Sequence, residues 1–95
     1  MVNETKQTQS IGLDVRYTRS FLIDLRNIEY AAQEQIYTVI FKKYRKIEHI
    51  YDLPGLVKLD AEGTLYRCTI DSYTIGLELK GNIIKFWRVL PTPVI

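Results

Sequence analysis

Arg67, Lys85 and Trp87 lie toward the end of this 95-residue chain, and their types and spacing could do chemistry together. An arginine can hold a phosphate with paired hydrogen bonds, and a lysine adds a point charge. An indole face stacks a base for about 1–3 kcal/mol. Lys58 stands upstream, and Lys42, Lys43, Arg45 and Lys46 put four cations into five consecutive positions. Such a set suits an anionic polymer, either an RNA backbone or an acidic partner segment. Cutting RNA with its own 2′-hydroxyl asks for more: a base, charge stabilisation at the phosphate and a proton for the leaving oxygen. Arg67 and Lys85 can provide the charge stabilisation, but no group stands out for the proton transfer. His49, the one histidine, follows a helical stretch, where a surface or packing role is expected. Cys68, the one cysteine, excludes an intrachain disulfide and reads as a buried, inert packing residue. One cysteine and one histidine cannot build a zinc cluster, and neither metal nor cofactor is expected.

These side chains need a scaffold. Residues 1–10 read as a flexible tail and 11–95 as a single domain, because a chain this short builds one core. Apolar and polar residues alternate from Ile11 to Tyr17, as in a half-buried strand. Thr18 is placed to cap a helix that follows. Phe21, Leu22, Leu25 and Ile28 recur at helical spacing, with Arg19, Asp24 and Arg26 turned outward. Ala32, Ile36, Val39 and Ile40 carry the stripe onward, and helix formers reach about Lys46. Periodicity alone would allow one long helix, with Asn27 the only candidate break. Tyr30, Tyr37, Tyr44 and Tyr51 stand seven apart and read as packing residues. The 42–46 cations also suit a helix C-terminus electrostatically. Asp52-Leu53-Pro54-Gly55 and Asp60-Ala61-Glu62-Gly63 are turns. Three strands follow at about 64–70, 73–80 and 83–90, joined by Asp71-Ser72 and Gly81-Asn82. The class is α+β: an N-terminal strand, two helices, then a three-stranded antiparallel meander with the helices on one face.

Two-residue turns set a register, since the flanking residues lie opposite each other. Glu78 then faces Lys85, Leu77 faces Phe86, and Gly76 lies between Arg67 and Trp87. The helix-covered face collects Tyr66, Cys68, Ile70, Tyr73, Ile75, Leu77, Leu79, Ile84 and Phe86. The other face collects Leu65, Arg67, Thr69, Thr74, Gly76, Glu78, Lys85, Trp87 and Val89, and no helix remains to cover it. Lys58 could reach that open face, while Arg88 falls on the helix side opposite Ile75. Glu78 and Lys85 are expected to pair across the strands. The row Arg67–Gly76–Trp87 allows two readings. A planar group lies on Trp87 in a shallow trough while Arg67 holds an anion, or Gly76 makes room for Trp87 to lie flat with Arg67 stacked upon it.

Val15-Arg16-Tyr17-Thr18-Arg19-Ser20-Phe21, with Leu25, is similar to the opening strand and first helix of the RelE/ParE superfamily of bacterial toxins. Leu65-Tyr66-Arg67-Cys68-Thr69-Ile70-Asp71-Ser72-Tyr73 looks like that family's strand-pair motif. Ile83-Ile84-Lys85-Phe86-Trp87-Arg88-Val89-Leu90 looks like its last strand. In order and spacing the chain resembles the family over about residues 11–90. The resemblance implies a cognate antitoxin that wraps the helices and sheet. It also implies a target, either messenger RNA on the ribosome or DNA gyrase. In the ribonuclease branch, basic residues of the open face stabilise the phosphorane, and Arg67 matches the first of them. Thr69 and Thr74 stand where further basic residues are usual. Pro91-Thr92-Pro93-Val94-Ile95 stands where a basic or His-Arg stretch and a tyrosine are usual. The implied activity is a ribosome-dependent mRNA endonuclease with weakened catalysis. The alternative is a non-enzymatic binding protein of the same fold, gyrase-directed or binding an antitoxin alone.

With 46% hydrophobic and 25% charged residues, the composition is that of an ordinary globular domain. A net charge of +2 does not by itself demand a nucleic acid. No apolar run approaches the roughly 18 residues of a membrane span, and the polar start lacks a secretion signal. A cytoplasmic protein without a membrane partner is therefore expected.

Overall fold

The computed structural model describes residues 13–43 and 49–93. The expected tail at 1–10 and the expected strand start at Ile11 lie outside them. Strand β1 (Asp14–Tyr17) leads to helices α1 (Arg19–Arg26) and α2 (Tyr30–Tyr37). Strand β2 (Val57–Lys58) then precedes β3 (Leu65–Ile70), β4 (Tyr73–Lys80) and β5 (Ile83–Pro91). The described strands form one five-stranded sheet in the order β1-β5-β4-β3-β2. β1 runs parallel to β5, and the other neighbours are antiparallel. The α+β class and the meander are as expected, and β2 is an addition to them.

Thr18 caps α1 as its sequence position suggests, its hydroxyl accepting from the Phe21 N–H at 3.0 Å. Asn27 ends that helix, its N–H donating to the Asp24 carbonyl. Gln33 seals the break: its side-chain amide donates to the carbonyls of Arg26 and Ile28, which a continuing helix would have consumed. α2 passes into π-helical turns over Thr38–Lys43. There the Thr38 hydroxyl donates to the Glu34 carbonyl at 2.8 Å, competing with the helix's own ladder.

Ala32 of α2 is fully buried, and Phe21 and Leu25 of α1 and Ile36 of α2 are buried against the sheet. Their partners include Tyr66, Cys68, Ile75, Leu77, Ile84 and Phe86, so the expected core face is the covered face. Tyr73 and Leu79 pack at its margin. The rings of Phe21 and Phe86 lie 5.6 Å apart between centroids and tie α1 to the central part of β5. Burying each such side chain contributes about 1.5–3 kcal/mol. The tyrosines correct the packing expectation: Tyr30, Tyr37 and Tyr51 are exposed, and Tyr44 lies outside the described residues.

The register holds from Lys80↔Ile83 to Leu77↔Phe86, with Glu78 opposite Lys85. It then shifts by one, and Gly76 pairs with Arg88 and Ile75 with Val89. Trp87 is the extra residue of a β-bulge, so the expected Gly76–Trp87 pair does not form. Strict alternation would turn Arg88 into the core and Val89 out. The bulge leaves Arg88 exposed and Val89 buried at 2% exposure. Sinking a guanidinium among apolar side chains would cost several kcal/mol, more than a local kink. The covered side of the site is closed by the same residues. The Thr18 hydroxyl donates to the bulge carbonyl of Trp87 at 2.8 Å. Asp24, expected to face solvent, turns instead toward β5. It accepts from Arg88 Nε at 2.6 Å, from Arg88 Nη2 at 3.0 Å and from the Val89 N–H at 2.9 Å.

Candidate functional site

Across the uncovered face one row now reads Val57, Arg67, Gly76 and Arg88. Side chains directly opposite in antiparallel strands share a face, so these four belong together. A Cβ built on Gly76 meets nothing within 4 Å. The indole therefore does not lie over this glycine, and the flat-packing reading of Gly76 is set aside. The space above Gly76 is an open trough, with exposed Arg67 on one bank and the bulge on the other. Arg67 makes no ion pair and no side-chain hydrogen bond with the described residues. Arg88, on the far bank, is already committed to Asp24.

Trp87 has a fixed setting. Its Nε1–H donates to Glu78 at 3.3 Å, and Lys85 Nζ sits 4.8 Å from the ring centroid. Glu78 completes its bonding with Lys80 at 3.3 Å. The expected Glu78–Lys85 ion pair is thus replaced: the carboxylate takes the indole and Lys80, and Lys85 takes the π face. A cation–π contact of this kind at the surface is weak, about 0.5–1 kcal/mol, so the ammonium can exchange the ring for an anion. Toward the β1 edge the face sinks into a depression of about 490 Å³, lined by Arg16, Tyr17, Glu78, Lys80, Ile83 and Lys85. Arg16 reaches it because β1 pairs with β5 in the register Arg16↔Lys85.

The remaining candidates separate. Lys58 is a correction: it pairs with Tyr66, a core-facing residue, so it stands on the helix side and not on the open face. Val57 takes the open-face place beside Arg67. The side chains of Lys42, Lys43, Arg45 and Lys46 lie outside what the structure describes. His49 opens a 3₁₀ turn (Ile50–Asp52), and its N–H donates to the Asp52 carboxylate. It is no part of the trough. Cys68 is fully buried, and burial pushes its thiol up to about 12. Among the described residues no three His, Cys, Asp or Glu side chains gather as metal ligands would. No described helix is long and apolar enough to cross a membrane.

A second feature lies on the helices. Leu22 and Ile23 of α1 and Tyr37 of α2 are exposed around a groove of about 500 Å³, between Arg19, Arg26 and Gln33. Leu22 sits in the apolar stripe of the sequence, but its neighbour Ile23 does not. Two adjacent large aliphatics in the middle of an eight-residue helix were the available signal, because a helix can turn only one of them fully inward.

No protein-family model matches the sequence, and no curated protein does. Solved structures do. A chain of the RelB–RelE antitoxin–toxin complex from Methanococcus jannaschii is 24% identical and superposes with a TM-score of 0.65, over 80% of this chain and 88% of that one. A chain of the RelBE2 toxin–antitoxin complex of Mycobacterium tuberculosis gives 13% identity and a TM-score of 0.62, over 85% and 99%. A chain of the chromosomal ParDE system of P. aeruginosa gives 12% and 0.55, over 85% and 97%. The fold is RelE/ParE-like, two helices on one face of a mixed five-stranded sheet, as the sequence motifs imply.

Proposed function

We propose that this protein is the toxin of a toxin–antitoxin pair and that it meets RNA on the open sheet face, cleaving messenger RNA on the ribosome slowly. The observation that carries the reading is the open trough over Gly76 beside an arginine with no ion-pair or side-chain hydrogen-bond partner among the described residues. In that trough Arg67 holds the scissile phosphate, and Trp87 stacks a neighbouring base on its exposed ring edge and face. The 2′-oxygen bonds to phosphorus as the bond to the 5′-oxygen breaks. Arg67, and Lys85 released from the indole, stabilise the charge that gathers on the non-bridging oxygens. Protons leave the 2′-hydroxyl and reach the 5′-oxygen through water, since Thr69 and Thr74 offer no acid or base near neutral pH. Thr74 is moreover tied to Thr92, hydroxyl to hydroxyl at 2.7 Å. A positioned acid or base contributes about 10²–10⁴-fold, and the rate should fall short of a fully equipped relative by that order.

The groove on α1 and α2 suits the antitoxin. Its apolar floor between Arg19 and Arg26 fits an amphipathic helix with acidic flanks. Such a pair works in the cytoplasm. The second reading is a non-enzymatic toxin directed at DNA gyrase, favoured by the threonines where basic groups would serve catalysis. Primer extension on translating ribosomes, run beside a gyrase supercoiling assay, separates the two. Slow cleavage that vanishes in Arg67→Ala supports the endonuclease. Inhibited supercoiling with intact message refutes it.

A further inference from the structure

The open face carries more cations than the trough uses. Arg16 on β1, Lys80 on β4 and Lys85 on β5 converge on the depression of about 490 Å³ at the β1 edge, with exposed Ile83 between them. Resting on the RNA reading above, we infer that this depression is a second RNA subsite: it grips the phosphates of the strand leaving the trough, with Arg16 and Lys80 as its contacts. Trp87 joins the two sites, bound to Glu78 on one side and beneath Lys85 on the other. Arg67 lies on β3 and Arg16 on β1, three strand spacings apart and two residues offset along the strands, roughly 16 Å at 4.8 Å per strand and 3.3 Å per residue. A few nucleotides of extended single strand bridge that distance, passing over the indole on the way.

The present partners of these cations do not hold them firmly. Arg16 pairs with Asp14 within the same strand, with side chains 58% and 46% exposed. Lys80 pairs with Glu78 while itself 73% exposed. Exposed ion pairs are weak and exchange readily for a phosphate. Asp14 and Glu78 also keep the empty surface from strong self-repulsion, so the cations can stay grouped without a ligand. Ile83 supplies an apolar surface for a base or ribose. Arg16 and Lys80 drew no notice in the sequence because only the parallel β1–β5 pairing brings them to one place.

Trp87 is the chain's one tryptophan, so its fluorescence reports occupancy of the face directly. The probe is an oligouridylate of roughly eight nucleotides, within the usual size range of single-strand sites. It is titrated into the full chain at several salt concentrations. For single strands log K falls with log salt by about 0.7 per phosphate contact. The Arg16→Gln/Lys80→Gln double variant should therefore flatten the slope by about 1.4, and Arg67→Gln by about 0.7. Asp14→Asn, which frees Arg16, should tighten binding, and Arg16→Lys should keep the wild-type slope. A double variant with the wild-type slope, beside a weakened Arg67→Gln, overturns this inference and leaves the RNA reading standing. A double variant that keeps its RNA slope but loses an acidic antitoxin helix assigns the depression to a protein interface and also overturns it. Wild-type protein whose tryptophan never responds to RNA overturns both.

Discussion

Replacing Asp24 with alanine removes three acceptor contacts at once, and the structure sets the size of the effect. The Asp24 carboxylate accepts from Arg88 twice and from the Val89 N–H. Val89 is buried, so its N–H would lose its acceptor at a place water reaches poorly, at about 1–3 kcal/mol. The Arg88 side chain is 51% exposed, so the ion pair itself adds less than about 1 kcal/mol. The sum is near 2–3 kcal/mol. For a domain of this size each kcal/mol moves the melting midpoint by about 4–8 °C, so Asp24→Ala should melt roughly 8–24 °C lower. Asp24→Asn keeps an acceptor for Val89, and Arg88→Ala keeps the whole carboxylate bond to it. Each should therefore lose only about 1 kcal/mol. The Arg88 hydrogen bond, followed by the Val89 N–H, outweighs desolvation and holds the Asp24 carboxyl below the usual range. Its stabilisation is thus present above the ordinary value of about 3.9 and is lost as pH falls through the depressed one. The gap between wild type and Asp24→Asn should stay constant from about pH 5 to 7 and close below about pH 4. Calorimetry across that range is the assay. An Asp24→Ala midpoint within a degree or two of wild type, or an Arg88→Ala as damaging as Asp24→Ala, would refute the account of the bulge.

Arg67→Ala should abolish toxicity in an induced-expression growth assay while changing stability by no more than about 0.5 kcal/mol, as surface changes do. Gly76→Thr should fill the trough and abolish function without destabilising the fold. Its Cβ meets nothing, and a β-branched residue suits a strand by up to about 1 kcal/mol over glycine. Cys68 should resist a thiol reagent at pH 8 in native protein and react at once in denaturant, because only the thiolate attacks and its thiol sits at about 12. Leu22→Asp or Ile23→Asp should leave melting nearly unchanged but prevent co-purification with an antitoxin. Retained co-purification would place the partner elsewhere.

Local rules carried much of the fold. Thr18 as a cap, the break at Asn27, the turns at Asp71-Ser72 and Gly81-Asn82, and the alternation that buries Tyr66, Cys68, Ile75 and Leu77 all act within a few residues. The sequence therefore determined a helical first half, a meander, a covered face and an open face bearing Arg67, and its motifs pointed to the RelE/ParE-like fold. The bulge at Trp87 was half legible: Arg88 falling on a core position and Val89 on an open one was the available warning. What relieved that conflict, Thr18 on the Trp87 carbonyl and Asp24 on Val89, comes from 69 and 65 residues away. The parallel pairing of β1 with β5, which brings Arg16 to Lys85, is equally remote. The face taken by Lys58 waited on a two-residue strand too short to show a period. Periodicity and turn chemistry report what a segment prefers. Which segments become neighbours is decided by burial summed over the whole core, and only the tertiary structure holds that sum.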